Sequence, residues 1–223
     1  MYARPKVNGS ATTLGVSGML WRGALIMYDR GTQSLWSQIN GKAVAGPLKG
    51  QRLEEVPSRL TTWGEWRRRY PDTLVLAKPP LSRSLAFRVG KAVVMLVLRG
   101  SRNPDRRLPG KELVFGLERD DRFAAVPLRA VEAQRVLNTD ALGGPVVVTS
   151  AAAYDRRVEG RTLTFDALDS LTMLDRETGS RWSIESGAAV DGAMRGTCLQ
   201  RLSSKLVYWG VWARFHPKSE IGR

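Results

Sequence analysis

Cysteine and histidine are almost missing from this 223-residue chain, which carries one of each, Cys198 and His216. A single thiol cannot close an intramolecular disulfide, and one thiol with one imidazole cannot complete a Cys/His zinc cluster. The expectation is a buried thiol, a partly packed imidazole, no metal and no cofactor. Long apolar runs are missing too: the longest, Ala92 to Leu98, falls far short of the roughly 18 to 20 residues that span a bilayer. Met1-Tyr2-Ala3-Arg4-Pro5-Lys6 leads into no apolar stretch with a small-residue cleavage site. That predicts a cytoplasmic protein without a membrane span, or an extracytoplasmic one if the true N-terminus lies upstream. No Gly-Lys-Ser/Thr ending and no strand-to-helix Gly-x-Gly-x-x-Gly offers a phosphate cradle. Gly15-Val16-Ser17-Gly18 is half of a nucleophile elbow, without the strand-to-helix context that gives such a serine its reactivity. No catalytic residue is assigned, and the chain leans away from enzymes.

Acidic residues are scarce in one half only. Net charge is +14, from 35 Lys and Arg against 21 Asp and Glu, and nearly all of the excess lies before residue 113. Such asymmetry suggests contact with a polyanion. The candidates are Arg67, Arg68 and Arg69 in one cluster, with Arg102, Arg106 and Arg107 in another. Against specific nucleic-acid binding stands the lack of any helix-turn-helix, finger or RNP-type signature. Arginine outnumbers lysine 27 to 8, a bias that genome composition alone can produce. A protein partner of unknown identity is the remaining expectation.

What the sequence does have is a repeat. Met27 to Pro71 realigns without a gap onto Met173 to Pro217, 146 positions later, with 20 of 45 residues identical. Shared pairs include Asp29/Asp175, Thr32/Thr178, Trp36/Trp182, Gly46/Gly192, Trp63/Trp209 and Trp66/Trp212. Upstream, Val7-Asn8-Gly9 matches Val158-Glu159-Gly160, which leaves five extra residues near Met19 to Gly23. Glu112 to Thr149 has no counterpart ahead of the first copy, so that copy is expected to be N-terminally incomplete. An internal repeat of this length predicts a duplicated structural unit.

The local signals give the unit its elements. Asn8-Gly9 supplies the positive φ angles of a tight hairpin. Ala24 to Tyr28 and Ser34 to Ile39 read as strands joined at Asp29-Arg30-Gly31-Thr32-Gln33, where Asp accepts bonds from nearby amides. Thr62 to Pro71 reads as a helix with a Thr62/Glu65 capping box, one aromatic face (Trp63, Trp66, Tyr70) and a proline stop. Lys111 to Val126 predicts a hairpin turning at Arg119-Asp120-Asp121-Arg122, Pro127 to Leu142 a helix, and Val146-Val147-Val148 a buried strand. The expected fold is mainly β (α+β): two related antiparallel β-rich units, each closed by a short Trp-bearing helix. The expected domains are a first repeat unit at 1–78, a basic linker at 79–111 with one buried strand in Leu81 to Gly100, and a second unit at 112–223.

Lys111-Glu112-Leu113-Val114-Phe115-Gly116-Leu117, Gly143-Gly144-Pro145-Val146-Val147-Val148-Thr149, Tyr154-Asp155-Arg156-Arg157-Val158-Glu159-Gly160-Arg161 and Met27-Tyr28-Asp29-Arg30 together resemble a prokaryotic family catalogued as domain of unknown function 3179. The resemblance implies no established activity. Typical members look as if they carry Tyr-Cys-Pro-x-Cys after the buried strand and His-Glu on the preceding helix, where this chain has Ser150-Ala151-Ala152-Ala153 and Gln134-Arg135. It therefore resembles a shortened, degenerate member. The leading reading is a non-catalytic scaffold or interaction domain. The alternatives are polyanion binding through the basic half and, from relatives with the cysteine motif, a metal- or redox-dependent enzyme of unknown reaction.

Overall fold

A computed structural model describes residues 1–56, 58, 61–76 and 105–222. The chain divides into two compact units, one formed by Met1–Arg59 with Pro104–Arg223 and the other by Leu60–Asn103. The first unit holds every described strand. It is mainly β, with several antiparallel sheets.

Its chain opens with a two-stranded ribbon, β1 (Lys6–Val7) and β2 (Ser10–Ala11). The turn between them has Asn8 at φ 49° and Gly9 at φ 81°, the double left-handed geometry expected of Asn-Gly. A four-stranded antiparallel meander follows: β3 (Leu14–Trp21), β4 (Ala24–Asp29), β5 (Leu35–Ser37) and β6 (Ala43–Ala45). The five residues that the repeat lacks in its second copy fall at the end of β3, where the register with β4 slips between Val16 and Leu20. An insertion at a hairpin end is absorbed as a bulge, because the rest of the ladder keeps its alternation.

In the second unit, α1 (Trp63–Arg69) starts with the expected capping box between Thr62 and Glu65. Leu81 to Gly100 and Arg102 lie outside the described residues.

The first unit resumes with β7 (Leu113–Arg119) and β8 (Arg122–Pro127), a hairpin whose tip is Asp120-Asp121, both at positive φ. Next come α2 (Leu128–Gln134), β9 (Val136–Thr139), β10 (Val146–Thr149) and β11 (Ala153–Asp155). The helix expected over 127–142 is thus half the predicted length. Arg135 takes φ 63° and ends it, and Val136 to Thr139 pair with β10 instead. Burying Val136 and Leu137 in a sheet beats the helix signal that their neighbours supply.

A second ribbon, β12 (Arg157–Val158) with β13 (Arg161–Thr162), leads to a second four-stranded meander: β14 (Phe165–Ala167), β15 (Thr172–Asp175), β16 (Arg181–Ser183) and β17 (Ala189–Asp191). Then β18 (Arg201–Tyr208), α3 (Trp209–Phe215) and β19 (Glu220–Ile221) complete the fold. The central sheet has seven strands in the order β19-β8-β7-β18-β11-β10-β9.

The core sits on both faces of that sheet. On one, Leu117, Val126, Val148 and Leu202 pack beneath α2. On the other, α3 inserts Trp209 and Trp212 against Val114 and Ala125, joined by Ala24 and Ile39 of the first meander. Gly116 lies directly under the Trp212 ring, which occupies the space a Cβ would need. The second meander closes its own cluster around Tyr154, Phe165, Met173 and Trp182.

Candidate functional site

The two Asp turns are built from the same bonds. In the first, Asp29 accepts from the Thr32 amide (2.6 Å), the Thr32 hydroxyl (2.9 Å), the Ser34 amide (3.1 Å) and the Trp36 indole (3.0 Å). In the second, Asp175 accepts from the Thr178 amide (2.5 Å), the Thr178 hydroxyl (2.8 Å), the Ser180 amide (3.2 Å) and the Trp182 indole (2.7 Å). Burial alone would raise the Asp29 pKa, but the donors from Trp36, Thr32 and Ser34 outweigh it and hold the carboxyl below its ordinary value. A buried carboxylate with four donors in place offers little capacity to a ligand. Gly46 and Gly192 enforce the same geometry: each has φ near 90°, and a Cβ on either would come within 2.7 Å of the Cα of Ser34 or Ser180.

One polar seam joins the segment that follows the first meander to the central sheet. Glu55 receives Lys205 Nζ at 2.5 Å and the Ser203 hydroxyl at 2.8 Å, and Arg52 reaches Glu118 at 3.1 Å. Burial pulls Glu55 upward, yet the Lys205 and Ser203 contacts win and keep it below the usual carboxylate range. Burial, with Glu55 and Glu118 nearby, raises the Tyr2 phenol above its ordinary value. Its hydroxyl donates to the Ile39 carbonyl at 3.0 Å. Tyr154 does the same to Glu185 at 2.6 Å, and burial pushes its pKa up to about 12. Tyr2 and Tyr154 form a matching pair that the sequence alignment misses, because the offset between the copies changes by one residue between Ala3 and Val7.

His216 lies in the same region. Its ring stacks on Phe123 with centroids 3.8 Å apart, and burial, reinforced by Lys205, Arg22 and Arg52, lowers its pKa to about 4. It is therefore neutral at ordinary pH and packed as an aromatic. Cys198 departs from the expected burial. It is exposed, bridged to Ala188 as Arg52 is bridged to Lys42, and a place that suits arginine in one copy points its side chain to water in the other. Among the described residues, no group of three or more His, Cys, Asp or Glu could hold a metal ion.

The arginines singled out from the sequence fall into different surroundings. Arg67, Arg68 and Arg69 occupy the last turn of α1, in the second unit. Arg107 is engaged: it forks onto Asp105 at 2.7 Å, donates to the Ser219 carbonyl at 2.8 Å and covers the Trp209 ring. Arg106 is exposed. The aromatic residues of α1 also differ from expectation. Trp63 and Trp66 are 51% and 41% exposed, whereas their sequence counterparts Trp209 and Trp212 are 0% and 1% exposed. The α3 tryptophans pack against Val114 of β7 and Ala125 of β8. Both helices nevertheless fold alike at their C-terminal ends: Trp66 donates to Thr73 at 2.9 Å and Trp212 to Ser219 at 2.8 Å, each seven residues on.

The family model described as "Protein of unknown function (DUF3179)" matches residues 1–219. The chain belongs to the DUF3179 family. No curated protein and no solved structure matches it. In this DUF3179 chain, the stretch after β10 that the resemblance marks for cysteines holds Ala151, Ala152 and Ala153, all buried. Gln134 and Arg135, at the marked His-Glu positions, are exposed at the end of α2. No helix among the described residues is long and apolar enough to cross a membrane.

Proposed function

We propose that this DUF3179 chain is a non-catalytic interaction scaffold made of two related β-rich units, 1–78 and 112–223, joined by a basic linker. The observation that carries this reading is the matched pair of Asp turns. The residues the two copies share hold backbone and tryptophan in place, whereas His216 and Cys198 have Tyr70 and Arg52 at the corresponding positions. A shared scaffold with unshared reactive groups fits a binding role better than a chemistry repeated in both halves. In this reading a closing Trp helix belongs to each unit, with α3 seated on its sheet.

The test is affinity capture of the tagged full chain after cross-linking, followed by reconstitution with the recovered protein. A stoichiometric complex is expected. Turnover of any substrate that disappears on Lys205→Met or His216→Ala would overturn the proposal and restore the enzyme reading.

A second reading, polyanion contact, draws on α1, where Arg67, Arg68 and Arg69 stand beside exposed Trp63 and Trp66. Each phosphate neutralised on duplex DNA should lower log affinity by about 0.9 per log unit of salt. A titration with duplex DNA at low and physiological salt measures that slope, and binding that vanishes by physiological salt would leave these arginines as a solvated face.

A further inference from the structure

Three guanidinium groups converge on the turn Gly143-Gly144, between β9 and β10. Arg119 ends β7, Arg122 opens β8 directly across from it, and Arg157 opens β12. Gly143 has φ 69°, and a Cβ there would collide with Arg122 Nη1. At Gly144 a Cβ would stand 2.9 Å from Arg119 Nη1 and 3.6 Å from Arg157 Nη2. The two glycines thus leave the room that the guanidinium groups fill.

Their counter-charge is small. Among the described residues, Asp155 is the one carboxylate paired with them, and Arg157 already forks onto it, Nε to Oδ1 at 3.1 Å and Nη2 to Oδ2 at 2.8 Å. Arg119 Nη2 approaches the same Oδ2 at 3.0 Å, yet that buried nitrogen makes no well-aligned hydrogen bond. Both side chains are largely covered, Asp155 6% and Arg119 12% exposed. Nearby, Glu220 Oε2 accepts from the Leu142 amide, and Asp140 is taken by Arg156. Asp120 and Asp121 form the exposed hairpin tip, and neither makes an ion pair among the described residues. Arg122 likewise has no hydrogen bond or ion pair among the described residues. A covered guanidinium with an underused fork, flanked by two more, is an arrangement suited to a planar or tetrahedral oxyanion.

The scaffold itself does not require this arrangement. The Ala3 amide donates to the Glu54 carbonyl at 2.9 Å as the Asp155 amide donates to Gln200 at 2.9 Å, so Ala3 stands in the first half where Asp155 stands in the second. A salt-linked cluster present at one of two matching places is free to serve a ligand.

We propose that the Gly143-Gly144 turn is an oxyanion site for a phosphate group, with Arg119 and Arg157 donating on the Gly144 side and Arg122 on the Gly143 side. It stands independently of the scaffold reading. The phosphate arrives either as the free ion or on a phosphate monoester, and the two share the chemistry that these arginines recognise.

The experiment is thermal melting and phosphorus NMR titration of the full chain with inorganic phosphate and, in parallel, glycerol phosphate, each against sodium chloride at equal ionic strength. Phosphate should raise the melting temperature where chloride does not. Arg122→Gln, which breaks no hydrogen bond or ion pair among the described residues, should weaken binding roughly tenfold, the scale of one charge-assisted hydrogen bond. Arg68→Gln, which removes the same charge on α1, should leave it unchanged. Tighter binding of one probe identifies the source and supports the site. The proposal is overturned if phosphate acts no better than chloride, or if Arg122→Gln and Arg68→Gln weaken binding equally, which would make the effect one of net charge alone.

Discussion

Trp182 donates its indole N–H to Asp175, seven residues earlier, at 2.7 Å, and both side chains are fully buried. The bond ties a turn to the strand that follows it, and Trp36 with Asp29 repeats it at 3.0 Å. Asp175→Ala would leave the Trp182 indole, the Thr178 and Ser180 amides and a hydroxyl without their acceptor in a site closed to water. The expected loss is on the order of 3 to 5 kcal/mol, the range seen when one member of a buried charged network is removed. Urea unfolding of the purified variant measures it. A loss under about 1 kcal/mol would mean that water enters the turn and replaces the carboxylate.

The paired tryptophans of the two helices give a sharper contrast. Trp209 is fully buried and its indole reaches the Asp105 carbonyl at 3.2 Å, so Trp209→Ala should cost about 3 to 5 kcal/mol. Trp63 is half exposed in a helix with no buried residue, and Trp63→Ala should cost under about 1 kcal/mol. Both substitutions follow by denaturant unfolding. Equal losses would show that the α1 aromatic face is covered in solution.

Much of this was legible in the sequence because turn chemistry is local. Asn8-Gly9, the Asp29 and Asp175 turns, the hairpin at Arg119 to Arg122 and the Thr62 capping box each rest on residues within a few positions of one another. What local signals could not supply was the destination of each face. Trp63 and Trp209 carry the same helix pattern, yet Trp209 is buried on a sheet whose strands begin as far away as Leu113, while Trp63 is half exposed. Arg135 ended a helix whose pattern continued, because Val136 and Leu137 gained more from pairing with β10. The Gly143-Gly144 cluster was invisible for the same reason: Arg119, Arg122 and Arg157 meet through sheet register and not through spacing. Tyr2 could have been found by allowing the repeat one further gap.

Cys198 offers a test of the exposed bridge position. Its side chain points to solvent and its counterpart is Arg52, so Cys198→Ser should change stability by less than about 0.5 kcal/mol. Thiol labelling of the native protein should also proceed at the rate of a free thiol. Labelling only after denaturation would return the side chain to the interior.

The pH dependence of folding should carry the mark of His216. Its folded pKa is lowered to about 4, first by burial and then by Lys205, Arg22 and Arg52, whereas the unfolded side chain titrates near 6.5. Between those values the unfolded chain binds a proton that the folded chain refuses. Stability is therefore fully present above about 6.5 and declines as pH falls toward 4. Because the ring is only partly buried, solvent screening reduces the effect, and a loss on the order of 1 to 2 kcal/mol is expected across the window. Asp29 acts in the same direction but lower: its depressed pKa contributes stability above the ordinary carboxyl value near 3.9 that is lost as pH falls through the folded one. The two are separable by substitution. His216→Phe keeps the stack on Phe123 without a titrating nitrogen, so its urea midpoint should stay nearly flat from pH 6.5 to 4.5 while that of the parent falls. Parallel slopes for the two proteins would show that His216 is free to protonate in the folded state.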